Sequence, residues 1–501
     1  MWSRHRVLWV GEQPSKDYQR KFVERRLEFF PTTIFECHER ISTSLGVVFF
    51  APTEEEFAKI EKVLLALALA HGLKVVVISE FDTVFAWKQR LSEQPWHHNA
   101  EKRVKVLARN LQDDVDELPE DFARFEIGPQ QSPRVQIEGG STLREEDLVL
   151  LRRAFSDCTQ VRLQKMTTGT ALVFQAFARL ENSRIGPYPL PLFVKLHKKR
   201  KIARELKNYR DSTTHFIPFN ARPNLGFDRC LLGAERGLIV GDFVEHSDSL
   251  AELVRRGTAG LAVNSLFENA LRGWRSQAYL QPGAIVVGPL LQDGAIRSWD
   301  ERAQQQAESY AVEAKKQGAL DTAAAIGALL DQLPNIRHRR GTIHGDLHGE
   351  NVRVRASEAI LIDFAAVEDF GALVMDPAAL ETSLVLKCTA SASHPFDETD
   401  WIELVRALYS LENLVKLPDV RAPTAPMNEL WNVVRQIRRF GYSDQLTDLE
   451  YARAVAIQLL RHALRRRDDN EPRQRRPMFI CLAGALAKAL TKLASPVPLA
   501  A

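Results

Sequence analysis

The segment from Thr342 to Asp363, TIHGDLHGENVRVRASEAILID, concentrates residues whose types and spacing could do chemistry. The carboxylate of Asp346 is followed by the amide of Asn351, and the carboxylate of Asp363 ends the segment. Such a set suits phosphoryl transfer, in which catalysis is mainly positioning and charge neutralisation. Asp346 suits the task of holding an acceptor hydroxyl and taking its proton. Asn351 and Asp363 suit the task of holding Mg²⁺, because this hard cation prefers oxygen ligands.

Two apolar runs and a short turn separate Asn351 from Asp363. The runs read VRV and AILI, and short apolar runs bounded by a turn are typical of strands. We expect them to form a β-hairpin. Such a hairpin would bring Asn351 and Asp363 close together although they are distant in sequence.

The block as a whole resembles a known family. It reads HGDLHGEN from His344 to Asn351 and IDF from Ile362 to Phe364. It is similar to the aminoglycoside phosphotransferase and choline kinase branch of the kinase-like fold, which carries H-G-D-x-H-x-x-N and then I-D-F/W. The resemblance covers about residues 159–490.

This resemblance implies roles for individual residues. Asp346 would be the catalytic base, Asn351 and Asp363 the metal ligands, and His344 a scaffold residue that fixes the loop. His348 favours this branch over ordinary protein kinases. The resemblance also implies ATP and Mg²⁺ as cofactors, and a hydroxyl of a small molecule or a protein as the acceptor.

A second acidic element lies downstream. Asp376-Pro377 is similar to the G-D-P element of the same family, although Met375 stands in place of the glycine. Because Asp is a favoured N-cap residue, we interpret Asp376 as the cap of the helix AALETSLVL.

Nucleotide contacts are predicted upstream of the block. Lys195 lies in a β-like run between Val194 and Leu196 and is the best candidate for the lysine that contacts the phosphates. Glu205 lies in the following helical stretch, and an ion pair between the two would orient the lysine. The alternative is that Lys195 only begins a basic run and that Glu205 faces solvent.

The predicted nucleotide loop is the turn that contains Gly169 and Thr170. Backbone N–H groups in such a turn can meet phosphate oxygens, as anion-binding nests do. A plain hairpin turn is the alternative, because the segment has one glycine where protein kinases have three.

The helices and strands predicted along the chain, which must position these residues, indicate an α/β domain followed by an α+β domain. Residues 1–127 alternate β-rich runs with helical patterns, which predicts a doubly wound parallel-sheet domain. Residues 128–140 are rich in Pro, Gly and polar residues and predict a linker. Residues 141–246 show the strand and helix order of a small kinase lobe. Residues 247–501 are mostly helical and predict a large helical C-lobe, so that the second domain is bilobal and kinase-like.

The first domain is similar in layout to a degenerate response-regulator receiver. Receivers carry an Asp at the end of the third strand and an acidic pair after the first. Here the third run ends in FAP at Pro52, and GEQ beginning at Gly11 follows the first. We therefore expect this domain to dock or sense a protein partner rather than to accept a phosphate. An unrelated small α/β domain is the alternative.

The bulk composition argues against several classes of protein. The 67 Lys and Arg against 64 Asp and Glu leave a net charge of +3, so we do not expect nucleic-acid binding. The basic runs at 197–201 and 461–476 are interpreted as solvated helix faces. Five cysteines form no CxxC pair, which argues against a zinc site and favours a cytoplasmic location. No apolar stretch reaches the ~20 residues that span a bilayer, so we expect no membrane association.

These motifs and domains are compatible with two functions from different classes. The first is an ATP-dependent phosphotransferase, which the Asp346, Asn351 and Asp363 set favours. The second is a regulatory pseudokinase module that binds nucleotide and partner proteins in a bacterial signalling or conflict system. The degenerate first domain and the sparse glycine loop favour this second function.

Overall fold

The computed structural model describes most of the chain. The described residues are 6–40, 44–53, 56, 60, 73–92, 104–110, 112–124, 134–138, 143–155, 158–166, 171–180, 189–227, 229–233, 235–280, 285–287, 305, 322–332, 337–387, 397–416, 425–464 and 475–494. The chain divides into two compact units. One is formed by Met1–Leu206 with Asn224–Phe243, and the other by Lys207–Pro223 with Val244–Ala501.

The first unit begins with a parallel sheet. Its strands are β1 (Arg6–Gly11), β2 (Glu28–Thr32), β3 (Gly46–Phe50), β4 (Lys74–Ser79) and β5 (Val104–Ala108). They pair in parallel in the order β2-β1-β3-β4-β5. The central strands β3 and β4 are almost entirely buried, which fits their continuous apolar sequences.

Helices accompany this sheet, and apolar clusters cover both of its faces. The described helices are α1 (Lys16–Glu24), α2 (Ile34–Arg40), α3 (Phe81–Ser92), α4 (Gln112–Asp116) and α5 (Leu118–Ala123). Val75 of β4 packs in one cluster with Cys37 of α2. Its neighbour Val76 packs in another cluster with Phe122 of α5, because successive side chains of a strand point to opposite faces.

A second sheet completes the first unit. Its strands are β6 (Arg134–Glu138), β7 (Cys158–Lys165), β8 (Leu172–Leu180), β9 (Leu190–Lys198), β10 (Leu231–Leu232) and β11 (Arg236–Asp242). Their order is β10-β11-β9-β8-β7-β6, antiparallel except for the β6–β7 pair. Helix α6 (Glu145–Ala154) precedes β7, and helix α7 (Lys199–Asn208) follows β9 directly. The sequence therefore predicted the order of strands and helix in this region.

Part of the predicted linker is a strand. Residues 134–138 lie inside the segment 128–140 that the sequence assigned to a linker, but they form β6. Val135 and Ile137 pack against the apolar core of the second sheet, beside Val161 and Leu163 of β7. The alternation of Val135 and Ile137 with polar residues is typical of a strand, but the Pro and Gly residues around it favoured the prediction of a linker.

The described strands of the second unit form two small antiparallel sheets. They are β12 (Asp248–Ser249), β13 (Ile285–Val287), β14 (Arg337–Ile343), β15 (Val352–Arg355), β16 (Glu358–Leu361) and β17 (Glu368–Ala372). One sheet has the order β12-β15-β16 and the other β13-β14-β17. The pair β15–β16 is the hairpin that the sequence predicted.

Helices make up most of the described part of the second unit. Those described are α8 (Thr214–Phe216), α9 (Leu250–Arg256), α10 (Gly260–Ser265), α11 (Arg272–Leu280), α12 (Thr322–Gln332), α13 (Met375–Lys387), α14 (Glu398–Leu408), α15 (Leu411–Lys416), α16 (Ala425–Asp444), α17 (Glu450–Leu464) and α18 (Arg475–Ala494). Within the described ranges, no helix is both long enough and apolar enough to cross a bilayer.

A buried ion pair joins three of these helices. Arg438 of α16 donates to the carboxylate of Glu381 in α13, with a shortest distance of 2.7 Å. The hydroxyl of Tyr451 in α17 donates to the same carboxylate at 2.7 Å. Because a buried charge is costly unless it is paired and hydrogen-bonded, these contacts fix how α13, α16 and α17 pack.

Candidate active site

The loop from His344 to Asn351 connects β14 to β15. Gly345 has φ +72°, and a Cβ there would lie 2.3 Å from the carbonyl oxygen of Ala366, so only glycine fits this turn. The imidazole of His344 is buried, and its Nε2 lies 3.0 Å from the carbonyl oxygen of Ile362. His344 thus ties the start of the loop to the end of β16, which fits the predicted scaffold role.

The side chain of Asp376 in α13 is hydrogen-bonded to the backbone of the same loop. Its carboxylate accepts a hydrogen bond from the backbone N–H of His344 at 2.7 Å and another from that of Gly345 at 3.0 Å. Burial raises the pKa of Asp376, and the two N–H donors act against that shift. The interpretation of Asp376 as a helix cap was wrong, because this residue lies inside α13 and its side chain serves the loop. The likeness to the family's G-D-P element was the signal that pointed to this contact.

Asn351 and Asp363 lie at the same end of the β15–β16 hairpin. Val352 is paired with Leu361, and the N–H of Ile362 donates to the carbonyl oxygen of Asn351 at 3.0 Å. Asp363 is the next residue along the chain. The hairpin therefore places Asn351 beside the backbone of Ile362 and one residue from Asp363, as the sequence predicted.

The side chain of Asn351 connects the hairpin to Asp346. Its amide nitrogen donates to the carbonyl oxygen of Asp346 at 3.0 Å, and the residue is buried. Because the nitrogen is engaged in this bond, the side-chain oxygen is the atom that Asn351 can present to a cation. One contact thus fixes both the position of Asp346 and the orientation of Asn351.

Asp363 has an unusual backbone conformation for a residue that is not glycine. Its φ of 64° and ψ of 74° place it in the left-handed region. Such conformations cost on the order of 1–3 kcal/mol and persist where the surrounding structure imposes them. The Asp363 carboxylate accepts a hydrogen bond from the N–H of Ala365 at 3.5 Å, at the start of a helical turn over Phe364–Ala366.

The segment after Asp363 is held by residues that the sequence did not single out. The side-chain amide of Asn208 donates to the carbonyl oxygens of Phe364 at 3.0 Å and Val367 at 3.3 Å. The ring of Tyr209 packs edge-on against that of Phe364, with centroids 5.7 Å apart. The hydroxyl of Ser212 donates to the Asp369 carboxylate at 2.6 Å. No local pattern revealed these contacts, because they join positions that are distant in sequence.

Two cationic or titratable side chains lie beside Asp346. The Nη2 atom of Arg461 is 3.7 Å from Asp346 Oδ1, and the Nε2 atom of His348 is 4.0 Å from Asp346 Oδ2. Burial lowers the pKa of His348 to about 4, although the Asp346 carboxylate acts in the opposite direction. His348 is therefore neutral near pH 7, so Arg461 is the charged member of this pair.

In the first unit, Lys195 and Glu205 form the ion pair that the sequence predicted. Lys195 lies in β9 and Glu205 in α7, with 2.8 Å between the ammonium nitrogen and a carboxylate oxygen. Both side chains are more than nine-tenths buried, which excludes the alternative that Glu205 faces solvent. Gly169 and Thr170 of the predicted nucleotide loop lie outside the described residues.

The donor set beside Asp346 suits a magnesium ion held together with a substrate. Mg²⁺ in phosphoryl-transfer sites takes one or two side-chain oxygens from the protein and completes its shell with water and phosphate. The amide nitrogen of Asn351 is engaged in its hydrogen bond, so the residue offers its side-chain oxygen to a cation, and Asp363 offers its carboxylate. In the part of the chain that the structure describes, no group of three or more His, Cys, Asp or Glu side chains could hold a metal by itself.

Comparisons with known proteins give one partial family match and several similar solved structures. The family model described as ternary complex associated domain 9 matches residues 240–466, which is less than half of the chain. No curated protein matches the chain significantly. The solved structures to which it is similar include an amicoumacin kinase in complex with AMP-PNP, Ca²⁺ and Ami, at 11% identity, with 71% of this chain and 96% of that chain covered and a TM-score of 0.36.

Two further solved structures belong to the same class of enzyme. A thermostable mutant of aminoglycoside phosphotransferase APH(4)-Ia is 12% identical, with 67% of this chain and 95% of that chain covered and a TM-score of 0.31. The ethanolamine kinase of Plasmodium vivax is 10% identical, with 71% and 91% covered and a TM-score of 0.28. These are the kinds of protein that the motif block resembles.

Proposed function

We propose that the chain is an ATP-dependent phosphotransferase of the aminoglycoside phosphotransferase and choline kinase-like type. It would transfer the γ-phosphate to a hydroxyl group of a small-molecule or protein acceptor. The observation that carries this proposal is that the backbone holds the three residues together. The Asn351 side chain is hydrogen-bonded to the backbone carbonyl of Asp346, and the hairpin brings Asn351 within one residue of Asp363.

Each residue of this set has a separate task. Asn351 and Asp363 would hold Mg²⁺ through oxygen atoms, and the bound ion would neutralise charge on the phosphates. Asp346 orients the acceptor hydroxyl and takes its proton, as a general base. His344 and Asp376 keep the loop in place through the contacts to Ile362 and to the loop backbone.

Nucleotide binding in the first unit is also part of the proposal. Lys195 would contact the phosphates, with Glu205 orienting its ammonium group through the buried ion pair. The turn that contains Gly169 and Thr170 would supply backbone N–H groups to the phosphates. The segments 141–246 and 247–501 would be the two lobes of the kinase-like domain.

For residues 1–127 we propose a doubly wound, receiver-like domain that docks or senses a protein partner. The parallel strand order and the apolar clusters on both sheet faces support this layout. Phe50 ends β3 where a receiver has its Asp, which supports docking over phospho-acceptance. A cytoplasmic location is part of the same proposal.

The regulatory module is the second candidate. The match of residues 240–466 to a family described as ternary complex associated favours it, since that description refers to assembly rather than to a reaction. In this case the chain would bind nucleotide and partner proteins in a bacterial signalling or conflict system, without turnover.

The test is transfer of labelled phosphate from ATP by the wild type and by Asp346→Asn. It is run without acceptor, with aminoglycosides, with amino alcohols and with cell extract. We expect Asp346→Asn to lower turnover by roughly 10²–10⁴-fold, the usual contribution of a positioned acid or base. Asp448→Asn, which changes an exposed carboxylate of the same unit, serves as the control. Equal transfer or hydrolysis by wild type and Asp346→Asn would remove Asp346 from its role.

A further inference from the structure

Arg461 brings a positive charge to Asp346 from a different element of the fold. It lies in α17, near the end of the helix. Its Nη1 atom donates to the carbonyl oxygen of Gly345 at 3.3 Å, and its Nη2 atom is 3.7 Å from Asp346 Oδ1. The arginine side chain is about one-fifth exposed, so solvent screens this charge only in part.

The loop itself offers no comparable cation. Between Asp346 and Asn351 the chain reads Leu, His, Gly and Glu, with no lysine or arginine. Phosphoryl transfer nevertheless concentrates negative charge next to the residue that holds the acceptor hydroxyl. A guanidinium group suits that position, because it keeps its charge and presents N–H donors in a fork that matches phosphate oxygens.

We propose that Arg461 is a further catalytic residue, whose guanidinium group binds the phosphoryl group as it passes from ATP to the acceptor. This inference rests on the proposed phosphotransferase function and adds a residue to it. The contact with Gly345 holds the guanidinium beside the loop, and the 3.7 Å separation from Asp346 is longer than a direct hydrogen bond. A phosphoryl oxygen near the Asp346 carboxylate therefore lies within reach of the same group.

A purely structural role would give different results. If Arg461 only held the loop, its removal would also displace Asn351 and would weaken MgATP binding. If Arg461 only oriented the Asp346 carboxylate, the effect of its removal would vanish once Asp346 were replaced. If Arg461 binds the phosphoryl group itself, the two substitutions act on different atoms, and their effects add. A double-mutant cycle separates these last two cases.

The experiment measures binding of MgADP with aluminium fluoride, which imitates the phosphoryl group in transit, by calorimetry. We expect Arg461→Ala to weaken this complex by at least ~10-fold, in line with the loss of a charge-assisted hydrogen bond, while the affinity for MgATP changes little. Arg461→Lys should restore part of the loss, because it returns the charge without the planar fork. Arg453→Ala, which removes another arginine of α17, is the matched control and should bind as the wild type does.

The cycle uses Asp346→Asn alone and together with Arg461→Ala. A further loss of aluminium fluoride affinity in the double variant supports direct contact with the phosphoryl group. Unchanged affinity in Arg461→Ala, or no further loss in the double variant, would overturn the inference and leave the proposed function intact. If the wild type itself fails to bind MgATP, the proposed function fails and this inference falls with it.

Discussion

At the scale of single residues, the chemistry depends on a few contacts that fix side-chain orientation. The hydrogen bond from Asn351 to the Asp346 backbone decides which atom of the amide can meet a cation. The sequence singled out Asp346, Asn351 and Asp363 as candidates, because their types and spacing form a motif. It could not predict that Arg461 lies beside Asp346. Arg461 is in α17, more than a hundred positions downstream, and the apolar spacing of that segment predicts only that it forms a helix.

The Lys195–Glu205 pair gives a prediction about stability. Lys195→Ala leaves the Glu205 carboxylate buried without its ammonium partner, and breaking a buried pair from one side costs ~3–5 kcal/mol. Lys416→Ala is the matched control, because Lys416 and Glu412 form an exposed pair, and such pairs contribute only ~0–1 kcal/mol. Chemical denaturation measures both losses.

A double variant tests whether the ion pair also serves nucleotide binding. Lys195→Met combined with Glu205→Gln should recover much of the lost stability, because no uncompensated charge remains. It should still bind MgATP more weakly than the wild type if Lys195 contacts the phosphates. If Lys195→Ala and Lys416→Ala unfold at the same denaturant concentration, the pair does not contribute as the structure indicates.

At the scale of elements, local patterns predicted strands and helices well where apolar periodicity was clear. The hairpin β15–β16 and the succession β7, β8, β9 and α7 were predicted from such runs. The strand β6 was missed because turn-forming residues surround it. The role of Asp376 was missed because its partners, the N–H groups of His344 and Gly345, are on another element. Contacts between elements leave little trace in a single sequence.

The contacts of Asn208 with the segment after Asp363 should affect the binding of Mg²⁺. Asn208→Asp keeps the size of the side chain but replaces the N–H donors that meet the carbonyl oxygens of Phe364 and Val367. Leaving such acceptors unpaired costs ~1–3 kcal/mol, and the added negative charge repels them. We expect Asp363 to lose its left-handed conformation, so that the Mg²⁺ concentration needed for ATP binding rises.

A second asparagine in the same unit provides the control. The side chain of Asn413 in α15 donates to the carbonyl oxygen of Ala407 at 2.7 Å. Asn413→Asp should change stability without changing the Mg²⁺ requirement. If Asn208→Asp and Asn413→Asp respond to Mg²⁺ alike, Asn208 is a structural residue only.

At the scale of the whole molecule, the motif block lies in the second unit and the Lys195–Glu205 pair in the first. At the carboxyl edge of the first sheet, Arg109 pairs with Glu12 and Glu80 at 3.2 Å and packs over the ring of Phe50. The identities of the proposed acceptor and of the proposed partner of residues 1–127 could not be predicted from the sequence, because recognition depends on surfaces that composition and periodicity do not describe.

Calorimetric titration of ATP into the full chain, with and without Mg²⁺, is the most direct test of the central claim. It compares the wild type with Asp363→Ala and with Asp448→Ala as a surface control. We predict Mg²⁺-dependent binding in the wild type and in Asp448→Ala, and its loss in Asp363→Ala, because the carboxylate that holds the ion is gone. An Asp363→Ala protein that binds ATP with the same Mg²⁺ dependence as the wild type would contradict the metal site and the proposed reaction.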